Sequence, residues 1–397
     1  MRSSFGRATH QEEYQAVSTN ASFSDKKIVV IHNTTKYLHL HYEPLIEELV
    51  KRGADVVVIA PIDQAGPKLE QLGVKCVDIG VSRYGINPVV EIGTIHEIYR
   101  QLIDLRPDIV FNFSIKPVIY GSIAARLAGC TNVYSMITGL GHLFMEGSVK
   151  YALLRGFIGH LYRFALRANA RVFFQNPEDN QLFQKMRLVD EQQGVTLNGT
   201  GIDLEKFQPD GTAPAGGTFI LASRLLWSKG IREYVDAARD LKKTYPDADF
   251  QILGSFDDNP SSVDLEDIAA WQEEAAVTYL GETSDVRPYL NKAAVFVLPT
   301  KYREGLPRSI LEAMALGKPV IATDVPGCRD AVVENENGFL VQVGNVESLK
   351  NAMARFLVDP SLVARMGRAS RRMAESRYSV KKVNDHILSE ISGTANR

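Results

Sequence analysis

The stretch AAVFVLPTKYREGLPRSILEAMALGKPVIAT, residues 293–323, reads as a strand, a loop, a helix and a second strand. Its apolar runs AVFVLP and KPVIAT are short and rich in β-branched residues, as expected of strands buried on both faces of a parallel sheet. Pro307 suits the first turn of the intervening helix, and the backbone N–H groups around Arg308, Ser309 and Ile310 are expected to face a cleft beyond the strand end. Two carboxylates, Glu304 and Glu312, lie in this turn, and two readings compete for them. One is a ligand-binding turn. In the other, Ser309 and Glu312 form an S-x-x-E capping box and Glu304 is an exposed loop acid.

Working outward, the same strand and helix alternation fills the chain. KIVVIHN, ADVVVIA, VKCVDI, DIVFNF, NVYSMI and RVFFQN are strand candidates of a first α/β domain, residues 27–198. HYEPLIEELVKRG and EIGTIHEIYRQLIDLRP between them have helical spacing with Gly and Pro stops. Residues 199–216 are rich in Gly, Pro and small residues and read as a linker. The alternation restarts with TFILAS, DFQILG, AVTYLG, AVFVLP, KPVIAT and GFLVQV, giving a second domain over 217–375. Residues 376–397 are expected to form a helix that packs back on the first domain, and residues 1–26 a polar tail. The fold class is therefore α/β, with two doubly wound, Rossmann-like domains facing across a cleft. Ligands of such sheets bind beyond the carboxyl ends of the strands.

Bulk composition narrows the partners. A net charge of -2 gives no whole-protein case for nucleic acid, so anions must be met by local patches. Cys76, Cys130 and Cys328 show neither CxxC spacing nor a disulfide framework, which fits a reducing compartment. The N-terminal stretch lacks the apolar core of a secretory signal, and no apolar run approaches the roughly 20 residues of a membrane-spanning helix. A cytoplasmic protein is expected.

In LASRLLWSKGIREYV, Arg224 and Lys229 stand between a strand end and a helix start. They are either solvated loop cations or a diphosphate clamp, the Arg acting as a fork of hydrogen bonds and the Lys as a point charge. The combination of R-L-x-W-x-K-G with E-G-L-P-x-S-x-x-E-A-M-A-x-G-x-P-V-I-A resembles the family 4 retaining glycosyltransferases of GT-B fold, whose E-x7-E pair falls here on Glu304 and Glu312. FQNPEDNQLF, NGTGIDLEKFQPD, VPGCRDAV and NGFLV extend the resemblance over most of the chain.

The resemblance implies that Arg224 and Lys229 bind the diphosphate of a UDP-sugar donor. Glu304 would approach the donor sugar beside the backbone of Gly305, Leu306 and Pro307. Ser309 and Ile310 would meet the phosphate, and Glu312 would accept from the ribose hydroxyls. NFSIKPVIYGSIAARLAG and MITGLGHLF resemble a bacterial subset that extends undecaprenyl-diphosphate-linked saccharides, which implies a lipid-linked acceptor and an N-acetylhexosamine donor. Lys116, Thr138, Gly139 and Gly141 are the acceptor-side candidates. Lys116 stands near where many members carry a His, and HNTTKYLHLHYEP replaces the paired glycines often found after the first strand.

The segment 148–171 alternates Leu153, Leu154, Phe157, Ile158, Leu161 and Phe164 with Lys150, Arg155, Arg163, Arg167 and Arg171. It reads either as a basic amphipathic helix on an anionic membrane surface or as a core helix with a solvated face. No covalent nucleophile or metal-ligand cluster is evident, so same-face transfer without a metal or other cofactor is expected. The rivals are a non-hydrolysing UDP-N-acetylhexosamine epimerase, a family 4 transferase with a soluble acceptor, and a dinucleotide oxidoreductase. The last would need a GxGxxG after the first strand of a domain, and neither domain has one.

Overall fold

Runs such as KIVVI and IVFNF carry no polar alternation because nearly every residue is buried in the middle of a sheet. In the computed structural model, the first domain runs β1 (Lys27–Ile31), α1 (Thr35–Lys51), β2 (Asp55–Ile59), α2 (Gly66–Glu70), β3 (Lys75–Val77), α3 (Pro88–Leu105) and β4 (Ile109–Phe113). It continues through α4 (Ile115–Leu127), β5 (Val133–Ile137), α5 (159–166), β6 (Asn169–Phe174), α6 (Pro177–Lys185) and β7 (Gly194–Thr196). The structure describes residues 22–81, 87–140, 159–212, 214, 216–257, 259 and 261–395. The strands lie in the order β3-β2-β1-β4-β5-β6-β7, and all pairs are parallel. The three-residue β7 had no counterpart in the sequence pattern.

The second domain runs β8 (Thr218–Ala222), a 3-10 turn at Trp227–Lys229, α7 (Ile231–Lys242), β9 (Asp249–Leu253), α8 (Leu265–Glu273), β10 (Thr278–Tyr279) and α9 (Arg287–Lys292). Then come β11 (Val295–Leu298), α10 (Arg308–Ala315), β12 (Val320–Thr323), α11 (Cys328–Ala331), β13 (Gly338–Val341), α12 (Val346–Val358), α13 (Ser361–Arg377) and α14 (Val380–Ala395). Its parallel sheet has the order β10-β9-β8-β11-β12-β13. In both sheets the order reverses beside the first strand, between β1 and β4 and between β8 and β11. The loops after those strands therefore diverge and leave a crevice at each sheet's carboxyl edge.

The chain crosses between domains twice, and the crossings are bonded to each other. Ile202 N donates to Tyr378 O at 2.7 Å, and Val380 N donates to Ile202 O at 3.0 Å. After the second crossing, α14 lies on the first domain, where Val383, Ile387, Leu388 and Ile391 join the core of Val30, Leu45, Phe111 and Phe173. Burying an aliphatic side chain of this kind contributes about 1.5–3 kcal/mol. Arg171 to Glu390 at 2.8 Å and Arg52 to Asp385 at 3.2 Å flank this seam.

Two sequence boundaries need correction. Phe23, placed in the tail 1–26, is buried in the first core, so the ordered domain begins before Lys27; residues 1–21 lie outside the described residues. Ile202 and Phe207, placed in the linker, are buried in the second core. The small polar residues around them masked two apolar anchors spaced too far apart to form a run.

Candidate active site

Lys229 is set by backbone geometry. Gly230 follows it at φ 77°, and a Cβ there would come within 1.9 Å of the Pro299 carbonyl oxygen. Only glycine lets the loop after β8 lie this close to the end of β11. The two loops are then stitched together. Ser228 O accepts from Lys301 N at 2.8 Å and from Thr300 Oγ1 at 3.2 Å. Across this seam Lys229 Nζ meets Glu304 Oε1 at 2.5 Å, and Thr300 Oγ1, whose single proton is shared between this oxygen and Ser228 O, lies 3.2 Å from it. Both members of the ion pair are largely buried, so each carries the other's compensation. Arg224 is aimed by Asp257, with Nη1 to Oδ2 at 2.7 Å. Asp257, from the loop after β9, is nearly buried, while Arg224 is partly exposed.

The capping box does not form. Pro307, extended at φ -61° and ψ 119°, takes the N-cap position without a side-chain bond, and the helix starts at Arg308. Ser309 is therefore already inside the first turn. Glu312 then falls four residues after Arg308 and accepts from its Nε at 3.1 Å, the i,i+4 spacing of a helical ion pair. Burial pushes the Glu312 carboxyl above its ordinary range, with Arg308 pulling the other way.

The first turn of α10 departs from expectation at Ile310, whose amide donates to Pro307 O at 3.1 Å and whose side chain is in the second core. Among the described residues, no backbone carbonyl accepts from the amides of Arg308 or Ser309, so the positive end of the helix is presented by those two. Leu306 is also buried in the second core, leaving its backbone alone at the site.

The first domain closes over this turn. Gly305 is packed so tightly that a Cβ there would lie 2.5 Å from Thr138 O and 2.3 Å from Gln175 Oε1. Thr138 and Gly139, read as acceptor-side residues, thus press their backbone directly on the loop that carries Glu304. Gly141 lies outside the described residues. Lys116, expected to face the cleft, starts α4 in an ion pair with Glu91 of α3 at 2.6 Å. At the end of β1, His32 is buried. Its Nδ1 accepts from Thr34 N at 3.1 Å, which leaves Nε2 to carry the proton toward Ser114 Oγ at 3.5 Å. Burial pushes its pKa down to about 3. His41 of α1 is likewise held down to about 3 by burial, with the charges of Arg308 and Arg224 of the other domain adding to the effect.

Of the described part of the segment 148–171, residues 159–166 form the core helix α5, and residues 169–171 already belong to strand β6, so the helix expected over the whole segment ends before Arg167. Tyr162, Ala165 and Leu166 are buried, Arg163 donates to Met186 O and Arg187 O, and Arg171 pairs with Glu390, while Phe164 is exposed. Residues 148–158 lie outside the described residues. Sequence reasoning missed Asn176, Asp179, Asp257, Thr300 and Arg308. Asn176 and Asp179 sit in the quoted FQNPEDNQLF, where an Asn before Pro and two acids signals only a helix start.

Two all-parallel, doubly wound domains, with an ion-paired site at the carboxyl edge of the second closed by the backbone of the first, define a GT-B glycosyltransferase. Residues 205–373 match the family described as glycosyl transferases group 1, and residues 27–176 match glycosyl transferase 4-like, and the chain belongs to this family of enzymes. It is similar to the N,N'-diacetylbacillosaminyl-diphospho-undecaprenol alpha-1,3-N-acetylgalactosaminyltransferase of Campylobacter jejuni, with 30% identity covering 80% of this chain and 86% of that one. The UDP-Gal:alpha-D-GlcNAc-diphosphoundecaprenol alpha-1,3-galactosyltransferase of Escherichia coli is 26% identical, over 90% of this chain and 96% of that one. In structure it is similar to Anabaena HepE in complex with UDP, with a TM-score of 0.74 and 18% identity, covering 92% of this chain and 100% of that one. These matches set aside the epimerase and oxidoreductase readings.

Proposed function

We propose that this glycosyltransferase moves an N-acetylhexosamine from a UDP-sugar, with retention, to a saccharide carried on a lipid diphosphate in polysaccharide assembly. The observation that carries this reading is the joining of Arg224, Lys229, Glu304 and the first turn of α10 at one sheet edge. Arg224 and Lys229 receive the donor diphosphate, aided by the amides of Arg308 and Ser309. Glu312, buried beside Arg308, accepts from ribose hydroxyls, and Glu304 faces the sugar with the backbone of Gly305. As the bond from sugar to diphosphate breaks, negative charge grows on the leaving oxygen. The cations and helix start stabilise it there. The acceptor hydroxyl attacks from the same face and gives its proton to the leaving diphosphate, so neither a protein nucleophile nor a metal ion takes part. Both undecaprenol-diphosphate relatives support the lipid-linked acceptor. An enzyme with that acceptor works at the cytoplasmic face of the membrane. No helix among the described residues is long and apolar enough to cross it, and peripheral attachment to an anionic membrane surface is part of the proposal.

The test is a panel of UDP- and GDP-sugars, with and without EDTA, against membranes bearing undecaprenyl-diphosphate saccharides and against soluble saccharides. Transfer of an α-linked N-acetylhexosamine from its UDP-sugar to the lipid fraction, undiminished by EDTA, is the expected result. Transfer to soluble saccharides alone defeats the acceptor assignment, and loss with EDTA defeats metal independence.

A further inference from the structure

The loop that carries Glu304 is held from the other domain. Asn176, the N-cap of α6, accepts from Asp179 N at 2.8 Å through Oδ1. Its Nδ2 reaches across the domain boundary to Gly305 O at 2.7 Å and Glu304 O at 3.2 Å. The same Nδ2 touches Asp179 Oδ2 at 3.0 Å, and Asp179 Oδ1 accepts from Arg303 Nε at 2.7 Å. Two residues one helical turn apart in the first domain thus grip three consecutive residues of the second. Asn176 and Asp179 are each 1% exposed, so water does not compete for these bonds.

The grip leaves the loop no slack. Opposite Asn176, a Cβ on Gly327 would lie 2.2 Å from Gly305 O, and one on Gly139 would lie 2.8 Å from Gly305 N. Backbone from both domains therefore clamps the peptide next to Glu304. Within its own domain the Glu304 carboxylate meets Lys229 and Thr300.

We propose that Asn176 and Asp179 are positioning residues for transfer, coupling the approach of the two domains to the placement of Glu304 and the Gly305 backbone at the donor sugar. The inference rests on the donor-site reading above. Its chemical logic is that Arg224, Lys229 and Glu312 retain the nucleotide without the first domain, whereas the sugar-facing loop adopts its working position only when the first domain is docked. Displacement by about 1 Å of a group at the reacting sugar is enough to cost about 100-fold in rate.

Asn176→Ser is the discriminating variant. Serine keeps the N-cap acceptor for Asp179 N but loses the amide that reaches Glu304 and Gly305. The expected result is a kcat lowered about 10- to 100-fold, with the UDP dissociation constant and the donor KM unchanged and the melting temperature lowered only as far as the loss of one buried hydrogen-bonding group requires. Asp179→Asn, which keeps the shape but not the charge facing Arg303, gives the same split at smaller size and stands in if Asn176→Ser does not fold. An unchanged kcat overturns the inference. So does a joint fall of kcat, UDP affinity and melting temperature, which marks a merely structural contact. Lys229→Ala is measured in parallel: loss of UDP binding there with normal kcat in Asn176→Ser sinks this inference and leaves the donor site standing. Intact UDP binding in Lys229→Ala sinks the donor site and the inference with it.

Discussion

Across the cleft, the second domain presents Lys229, Glu304, Arg224, Arg308 and Glu312 engaged in ion pairs, while the first presents His32, His41 and Tyr42, which burial holds neutral, beside the backbone of Thr138 and Gly139. Under the proposed function, the contrast follows from what each side has to handle. A leaving diphosphate develops charge and calls for cations held in place beforehand. A saccharide hydroxyl stays near neutral until it attacks, and is served by uncharged acceptors and by shape. The ion pairs also explain how such a concentration of charge is tolerated at a partly buried edge, because each cation is held by a carboxylate of its own domain.

The charged side is where substitution has the largest effect. Lys229→Ala or Arg224→Ala is expected to lower kcat/KM about 100- to 1,000-fold, the range for removing one preorganised donor from a developing negative charge. Each variant leaves a carboxylate behind, Glu304 or Asp257, so melting curves must accompany the kinetics. Activity within a few-fold of wild type in either would erase the contrast between the two faces. Next in size is the scaffold under Lys229. Gly230→Ala forces a side chain into the left-handed region at φ 77° and into the Pro299 carbonyl. The conformational cost alone is about 1–2 kcal/mol, and the clash adds to it. A lower melting temperature with donor affinity reduced is the expected outcome. A change in stability with donor affinity intact would show that the loop does not depend on this approach.

The seam between α14 and the first domain comes next, because it bears on stability and not on the site. Arg171→Ala removes the 2.8 Å pair with Glu390, which is about a quarter exposed, and is expected to cost no more than about 1 kcal/mol in urea unfolding. Ile387→Ala, which opens the core that α14 shares with β1 and β4, is expected to cost about 2–5 kcal/mol. If the two costs are equal, charge holds the helix as much as burial does.

The two faces also differ in how far they could be read from sequence. All twelve strands read from apolar runs are present, because a strand buried on both faces leaves an unbroken signature that needs no partner to be recognised. The second-domain candidates could be picked out for a related reason: Glu304 and Glu312 lie within one loop and one helix, and Arg224 and Lys229 within another loop. Spacing within one element translates directly into geometry. The open points are decided by neighbours. Ser309, open between a cap and a ligand contact, is not the cap because Pro307 takes that position, and the Ile310 amide already donates to Pro307 O. Lys116 looked like a cleft residue until Glu91, 25 positions earlier, claimed it. Asn176 and Asp179 were invisible as site residues because their partners stand 128 and 124 positions away in the other domain.

At neutral pH the smallest effect belongs to the neutral side. His32 is packed near Phe113 and Tyr42, with ring centroids at 6.2 and 6.5 Å, and its pKa is down to about 3 from 6.5. Burial is the main cause. The Thr34 backbone and, more weakly, the Asp63 carboxylate pull the other way. The unfolded chain therefore binds a proton near pH 6.5 that the folded chain refuses until about pH 3. Stability is unaffected well above pH 6.5 and falls as the pH drops through that window. Between pH 7 and 6 the loss is less than about 1 kcal/mol per such histidine, and the slope stays below about 1.4 kcal/mol per pH unit at lower pH. His41 carries the same sign, strengthened by Arg308 and Arg224. Urea unfolding of wild type, His32→Gln and the His32→Gln/His41→Gln double variant at pH 7, 6 and 5 separates the contributions, since glutamine keeps a hydrogen-bonding oxygen but cannot titrate. The pH dependence is expected to flatten in steps from wild type to the double variant. An identical acid slope in all three would mean that these imidazoles accept protons in the folded state, and that the first face of the cleft is as ready to carry charge as the second.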